Sequence, residues 1–134
     1  DRVTQLWQAC GAEVSLMPAD EHDKILAATS HLPHILALTM MNHLNHSTDQ
    51  LGNLLRFAGS GLRDFTRIAG SSPEMWRDIC LANREALLSQ MDAYQKELHA
   101  LQVMLKSNDG AALEKAFSQA RNARENWLNS KNPI

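Results

Sequence analysis

Apolar residues return every three to four positions along nearly the whole chain, which is the spacing of helices with one buried face. Val3, Leu6, Trp7 and Cys10 begin the pattern, and Gly11 supplies a C-terminal stop. Residues 12–17 (AEVSLM) alternate instead, as a short strand does, and Pro18 ends them. One helix and one strand have no sheet to join in the rest of the chain. They read as the tail of a preceding α/β domain, or as an edge strand that needs a partner chain.

Asp20 has the chemistry of an N-cap, with Asp23 three residues on. From His22 the positions Ile25, Leu26, Ala28, Leu32, Ile35, Leu36 and Leu38 keep helical spacing. Pro33 lies inside this run and should kink or break the helix near Thr29 and Ser30. Residues 42–49 are polar, and Ser47 or Thr48 is a candidate cap for a short helix through Leu51, Leu54 and Leu55. The stretch 59–76, GSGLRDFTRIAGSSPEMW, then reads as a glycine-bracketed loop and short helix. Ser72 followed by Pro73 is a strong helix start.

The following helix is predicted to run from about 73 to 105, with neither Gly nor Pro inside it. At ~1.5 Å per residue it would span roughly 50 Å, more than one domain of this size needs, which predicts a subunit interface. Asn108, Asp109 and Gly110 form the next turn. A last helix carries Leu113, Ala116, Phe117, Ala120, Ala123, Trp127 and Leu128, and residues 131–134 are expected to fray. The fold class is therefore mostly all-α with antiparallel helices, in two parts, 1–18 and 19–134.

Composition narrows the function classes. A chain of 134 residues with 44% hydrophobic and 21% charged content is an ordinary globular domain. The net charge of −2 gives no electrostatic reason to expect nucleic acid or an anionic membrane as partner. No apolar run approaches the ~20 residues of a membrane span. Cys10 and Cys80 lie far apart without CxxC spacing, fitting reduced thiols and a cytoplasmic location. The chain opens on Asp1-Arg2 without a signal peptide or initial Met, and inside a helical pattern, so a fragment of a longer protein is expected.

Candidate chemistry clusters in two places. Five of the six histidines fall between His22 and His46, and the pairs His31/His34 and His43/His46 are each three residues apart. On a helix each pair shares a face, which suits a metal; solvated surface is the competing reading, since no carboxylate follows at ligand spacing. His31 and His34 flank Pro33, where a kink frees backbone groups and opens a pocket, so a ligand role fits them better. Asp64 and Arg67 are also three apart. They are either a surface pair of little energetic weight or an oriented guanidinium fork for a carboxylate. Gly59, Gly61 and Gly70 permit close approach of a ligand, and Arg56 and Arg63 make the segment locally basic, as an anionic small molecule requires. Trp76 is either core or one wall of a pocket beside Arg67.

The segments HDKILAATSHLPHILA (22–37) and GLRDFTRIAGSSPEMWRDICLAN (61–83) resemble the C-terminal helical domain of the prephenate dehydrogenase family, with the likeness running from about Gly11 to Leu105. The resemblance implies an oxidoreductase of tyrosine biosynthesis that converts prephenate to 4-hydroxyphenylpyruvate by NAD(P)-dependent oxidative decarboxylation. It implies that a missing N-terminal Rossmann domain binds NAD or NADP and carries the catalytic histidine, so this fragment has no catalytic or cofactor-binding residue and holds no metal. Residues 1–18 would be that domain's last helix and strand, and 19–134 the dimerisation and substrate-binding domain. Arg67 is similar to the family arginine that grips a substrate carboxylate, and Asp64 to its acidic partner in the gating ion network. His34 resembles the pocket histidine, with His31 beside it; Gly61 and Trp76 would line the same pocket. Ser60 stands where some members have another glycine. The implied partners are a second copy of the chain, prephenate, and tyrosine as a feedback inhibitor. The alternatives are arogenate as substrate, or a non-catalytic helical module that binds a regulator such as tyrosine.

Overall fold

The computed structural model describes residues 1–51 and 54–130; the side chains of 48–51 lie outside this description. The chain forms two compact units, Asp1–Gln90 and Met91–Ile134. Every regular element among the described residues is helical.

In the first unit, α1 (Arg2–Ala9) starts at Asp1, whose carboxylate accepts from the Val3 N–H at 2.6 Å. It ends as the glycine signal predicts. Gly11 takes a left-handed φ of 82°. Its N–H donates to Gln8 O, and the Ala12 N–H donates to Trp7 O, the paired bonds that satisfy the last carbonyls of a helix.

The predicted strand at 12–17 is corrected. These residues form no regular element, and no strand is present among the described residues for them to pair with. Alternation alone does not make a strand, because the ladder bonds come from a neighbour. The cap at 20 also moves. Helix α2 (Ala19–Leu26) starts after Pro18, whose carbonyl accepts from Glu21 and His22. Asp20 instead sits in the first turn and pairs with Lys24 at 3.4 Å on the surface.

The kink appears where Pro33 demands it, as a π-helical turn over Ala27–His31. Proline lacks an N–H and its ring crowds the carbonyl four residues back. The chain answers by widening one turn, and the Leu32 N–H reaches Ala27 O, five residues back. Ala27 and Ala37 are fully buried here, small enough for close packing. Helix α3 (Leu32–Leu51) then runs straight through the polar segment expected to interrupt it. Ser47 does not cap a new helix; its hydroxyl donates back to His43 O. The side chain of Thr48, the other predicted cap, lies outside the described residues.

A 3-10 turn (Leu54–Phe57) precedes α4 (Ser60–Thr66), and a second 3-10 turn (Arg67–Gly70) follows it and packs on α3. The glycine-bracketed stretch is therefore more helical than predicted: Gly61 lies in the first turn of α4. Ser72 and Pro73 behave as read. The Ser72 hydroxyl accepts from the Met75 N–H at 3.3 Å and Pro73 opens α5 (Pro73–Ala82). The helix expected over 73–105 is interrupted at one residue. Asn83, at φ −111° and ψ 35°, separates α5 from α6 (Arg84–Lys106).

In the second unit, the end of α6 is closed by Asn108 in the left-handed region (φ 51°), again with paired bonds from Asn108 N–H to Leu105 O and Asp109 N–H to Met104 O. Asp109 caps α7 (Gly110–Ser130) by accepting from the Ala112 N–H at 2.9 Å. Leu101, Met104, Leu113 and Ala116 are half-buried, while no described residue of α7 is buried. The predicted fraying at 131–134 lies outside the described residues.

Candidate functional site

The core of the first unit is a ring cluster. Trp76, projected from the first turn of α5, is 7% exposed. His34, from the start of α3, stacks on it with ring centroids 3.7 Å apart and planes at 21°. His31, the last residue of the π turn, meets the indole edge-on at 6.0 Å and 82°. The widened turn and the helix after it thus bring both histidines of the predicted pair onto one tryptophan, which stands in the way of an ordinary metal-ligand arrangement. Among the described residues no group of three or more His, Cys, Asp or Glu gathers to hold a metal ion.

Hydrogen bonds assign the protons. His34 Nδ1 lies 2.9 Å from Ser30 O. A carbonyl only accepts, so this nitrogen carries a proton, and whenever the ring holds one proton its Nε2, without a partner among the described residues, is an acceptor. The opposite holds at His31. Asn83 Nδ2 lies 2.8 Å from Asp23 O, which orients the amide with its NH2 inward. The same nitrogen lies 3.2 Å from His31 Nδ1, which must therefore accept. The neutral His31 ring then keeps its proton on Nε2. The two histidines present unlike groups, a donor and an acceptor.

Burial pushes the His31 pKa below its ordinary value. The Asp23 carboxylate opposes this shift, and His22 and His34 add to it. The Trp76 indole N–H is buried without an acceptor among the described residues. Such a donor is costly unless a ligand or another chain completes it.

Beside the cluster an open groove of about 320 Å³ is lined by Ile35, Leu38, Ala69, Pro73, Trp76 and Cys80. Cys80 is a half-buried thiol whose pKa is raised by burial, so it is not an activated nucleophile. A larger open cleft of about 780 Å³ borders Asn83 and carries mixed charge from Asp20, Asp23, Lys24, Arg84 and Glu85.

The other predicted site residues are placed differently. Asp64, in α4, and Arg67, at the head of the second 3-10 turn, are exposed and form no ion pair with one another. Gly61 is exposed, with open space where a Cβ would stand. Arg56 lies over the Phe57 ring at 4.7 Å. Asn83 was not singled out from the sequence. It stands seven residues after Trp76, two turns along the same helix face, where a poor helix former inside a helical pattern was the available signal.

Comparison with known proteins identifies the family of the chain. The family described as prephenate dehydrogenase, dimerization domain, matches residues 18–119. A cyclohexadienyl dehydrogenase of Zymomonas mobilis is 34% identical over 123 residues, covering 91% of this chain and 42% of that protein. The Bacillus subtilis prephenate dehydrogenase is 34% identical over 125 residues, covering 93% and 34%. The solved Aquifex aeolicus prephenate dehydrogenase, in complex with hydroxyphenyl propionate and NAD+, superposes with a TM-score of 0.88 at 31% identity, over 93% of this chain and 44% of that one. Synechocystis arogenate dehydrogenase, at 23% identity and a TM-score of 0.81, shares the fold. The chain thus spans between a third and a half of the length of these relatives. With a family match across most of its residues, including His31, His34, Trp76 and Asn83, it belongs to the prephenate dehydrogenase dimerization-domain family.

Proposed function

We propose that this chain is the dimerisation and substrate-binding part of a prephenate dehydrogenase. One observation carries the reading: the family match over 18–119 contains the whole His31–His34–Trp76 cluster, built from segments far apart in sequence. Prephenate is a small dianion with a keto group. The cluster offers it the His31 Nε2–H, the Trp76 N–H that has no partner among the described residues, and the apolar faces of two stacked rings. Arg67, exposed and without an ion pair among the described residues, is the candidate for a substrate carboxylate, with its planar fork matched to two oxygens. Asp64, three residues before it in α4, is the candidate acidic partner, and Gly61, in the first turn of α4, would border the same site.

The described residues contain no strand feeding a glycine-rich turn at a helix N-terminus, the geometry that cradles a dinucleotide pyrophosphate. In this proposal the cofactor, NAD or NADP, and the hydride-transfer step belong to an N-terminal domain of the parent protein. In this proposal residues 1–18 are the end of that domain, in keeping with a family match that begins at residue 18. What this part supplies is binding, orientation and exclusion of water. No helix among the described residues is long and apolar enough to cross a membrane.

Dimerisation is supported by uncovered apolar surface. Leu98 (49%), Val103 (51%), Leu105 (62%) and Phe117 (59%) are half exposed or more on α6 and α7. Helices with such stripes are stable in water when another surface covers them. A second copy of the chain is the proposed cover, as the family's description implies.

The direct test is absorbance at the reduced-nicotinamide band. The intact parent protein would be given NAD, then NADP, with prephenate in one cuvette and arogenate in another. A signal with prephenate supports the reading, and one with arogenate alone replaces the substrate. Silence from folded protein in every arm removes the enzymatic reading and leaves a binding module, for which tyrosine titration is the next experiment.

A further inference from the structure

Resting on the reading above, in which His31 faces the substrate, we infer that Asn83 is a positioning residue that fixes the tautomer of His31. Three observations converge on it. Asn83 leaves helical geometry between α5 and α6, at φ −111° and ψ 35°, although its N–H still bonds Ile79 O and its carbonyl still accepts from Leu87. The helix therefore continues through this residue with only a local distortion, and that distortion carries the side chain across to α2 and the π turn. There one amide nitrogen serves two acceptors from distant parts of the chain, Asp23 O at 2.8 Å and His31 Nδ1 at 3.2 Å.

The Asp23 carbonyl is what makes the arrangement directional. An amide can ordinarily rotate its O and N to suit whichever tautomer a neighbouring histidine adopts. With Nδ2 already committed to a carbonyl, rotation would set two oxygens against each other. Asn83 can then offer His31 Nδ1 only a donor. The ring proton is confined to Nε2, and His31 is a hydrogen-bond donor before any ligand arrives. Preorganised donors of this kind cost no reorganisation when an anionic group binds. The groups that act on the ring are Asp23 and His22 from α2 and His34 from α3; Trp76 and Asn83 of the remaining elements are uncharged.

The test uses the full-length parent protein labelled with ¹⁵N-histidine, with His31→Gln to assign the signal. Above the ordinary histidine pKa, the wild-type His31 should show an unprotonated Nδ1 and a protonated Nε2. Asn83→Asp places an acceptor at the same position. It should reverse the pattern and hold the ring doubly protonated to higher pH, with Asp23, His22 and His34 unchanged in number and position. Asn83→Ala, which keeps neither bond, should give a mixture of tautomers. A wild-type ring protonated on Nδ1, or one nitrogen pattern shared by wild type and Asn83→Ala, overturns the inference. If Asn83→Asp does not fold, the wild-type and Asn83→Ala spectra decide it. These spectra need no substrate, so they stand or fall separately from the dehydrogenase assay. In that assay Asn83→Ala should raise KM for prephenate about tenfold, the loss expected of one hydrogen bond to a charged group. The His31 spectrum as inferred, with KM unchanged, keeps Asn83 as the tautomer-setting residue and removes His31 from the substrate site.

Discussion

The His34 imidazole and the Trp76 indole lie face to face, with centroids 3.7 Å apart, across 42 positions of sequence (76 minus 34). Among the described residues Trp76 is at once the largest buried side chain of the first unit and the carrier of a buried N–H with no acceptor. These two properties can be separated by substitution. Trp76→Ala should destabilise the protein by about 3–5 kcal/mol, as loss of a buried aromatic does. Trp76→Phe keeps most of the apolar contact and removes the orphan donor, so its stability loss should be less than half as large. Urea denaturation followed by circular dichroism measures both. If the indole N–H meets the substrate, Trp76→Phe should still raise KM for prephenate; an unchanged KM would take that contact out of the site.

Arg67 is exposed and bears no ion pair among the described residues, so its replacement should leave stability within about 0.5 kcal/mol of wild type. Its effect should appear in kinetics. Arg67→Ala is expected to raise KM for prephenate by about 100-fold, and Arg67→Lys to recover only part of the loss, because an ammonium does not match a carboxylate with two parallel bonds. A KM within twofold of wild type for Arg67→Ala would end this assignment.

His31 links stability to pH. Its folded pKa is lowered, chiefly by burial, so between that value and the ordinary pKa of about 6.5 the unfolded chain binds more protons. The stability due to the neutral ring is complete above that window and is lost as pH falls through it. Thermal melts from pH 8 to pH 5, on the order of the range over which histidine titrates, should show Tm falling on the acid side. His31→Gln should flatten this slope, and a slope identical to wild type would assign it to other groups.

Ser72 caps α5 and thereby holds Trp76 in place. Its hydroxyl accepts from the Met75 N–H and donates to the Glu74 carboxylate at 3.0 Å. Bonds from its own backbone N–H first, and then from Ser72, hold the Glu74 pKa below the ordinary range. Ser72→Ala should cost about 1 kcal/mol, and Ser72→Asp should recover most of it, since both oxygens can cap. Equal stability of Ser72→Ala and wild type in urea would show that Pro73 alone sets the helix start.

The exposed apolar residues of α6 and α7 predict self-association. Sedimentation should give about twice the chain mass of 15.0 kDa, and Phe117→Glu, at 59% exposure, should shift the population toward monomer without unfolding it. A monomer at high concentration for the wild type would leave the apolar stripe without its proposed cover.

What the residues of this chain determined by themselves are its local commitments. Gly11, Pro33, Ser72–Pro73 and Asn108–Asp109 act through φ restriction, missing donors and side-chain caps, which operate within a few residues. They set helix ends and the kink wherever the chain goes, and the long motifs around His34 and Arg67 carried the family resemblance. Tertiary structure decided the rest. Residues 12–17 alternate like a strand but find no ladder to join, and Ala27 and Ala37, not the larger apolar residues of the pattern, became the closest-packed positions. The meeting of His31, His34, Trp76 and Asn83 depended on the width of one π turn and the distortion at one asparagine. Periodicity names a buried face but not its neighbour, and the protonation of a histidine depends on which neighbour it meets.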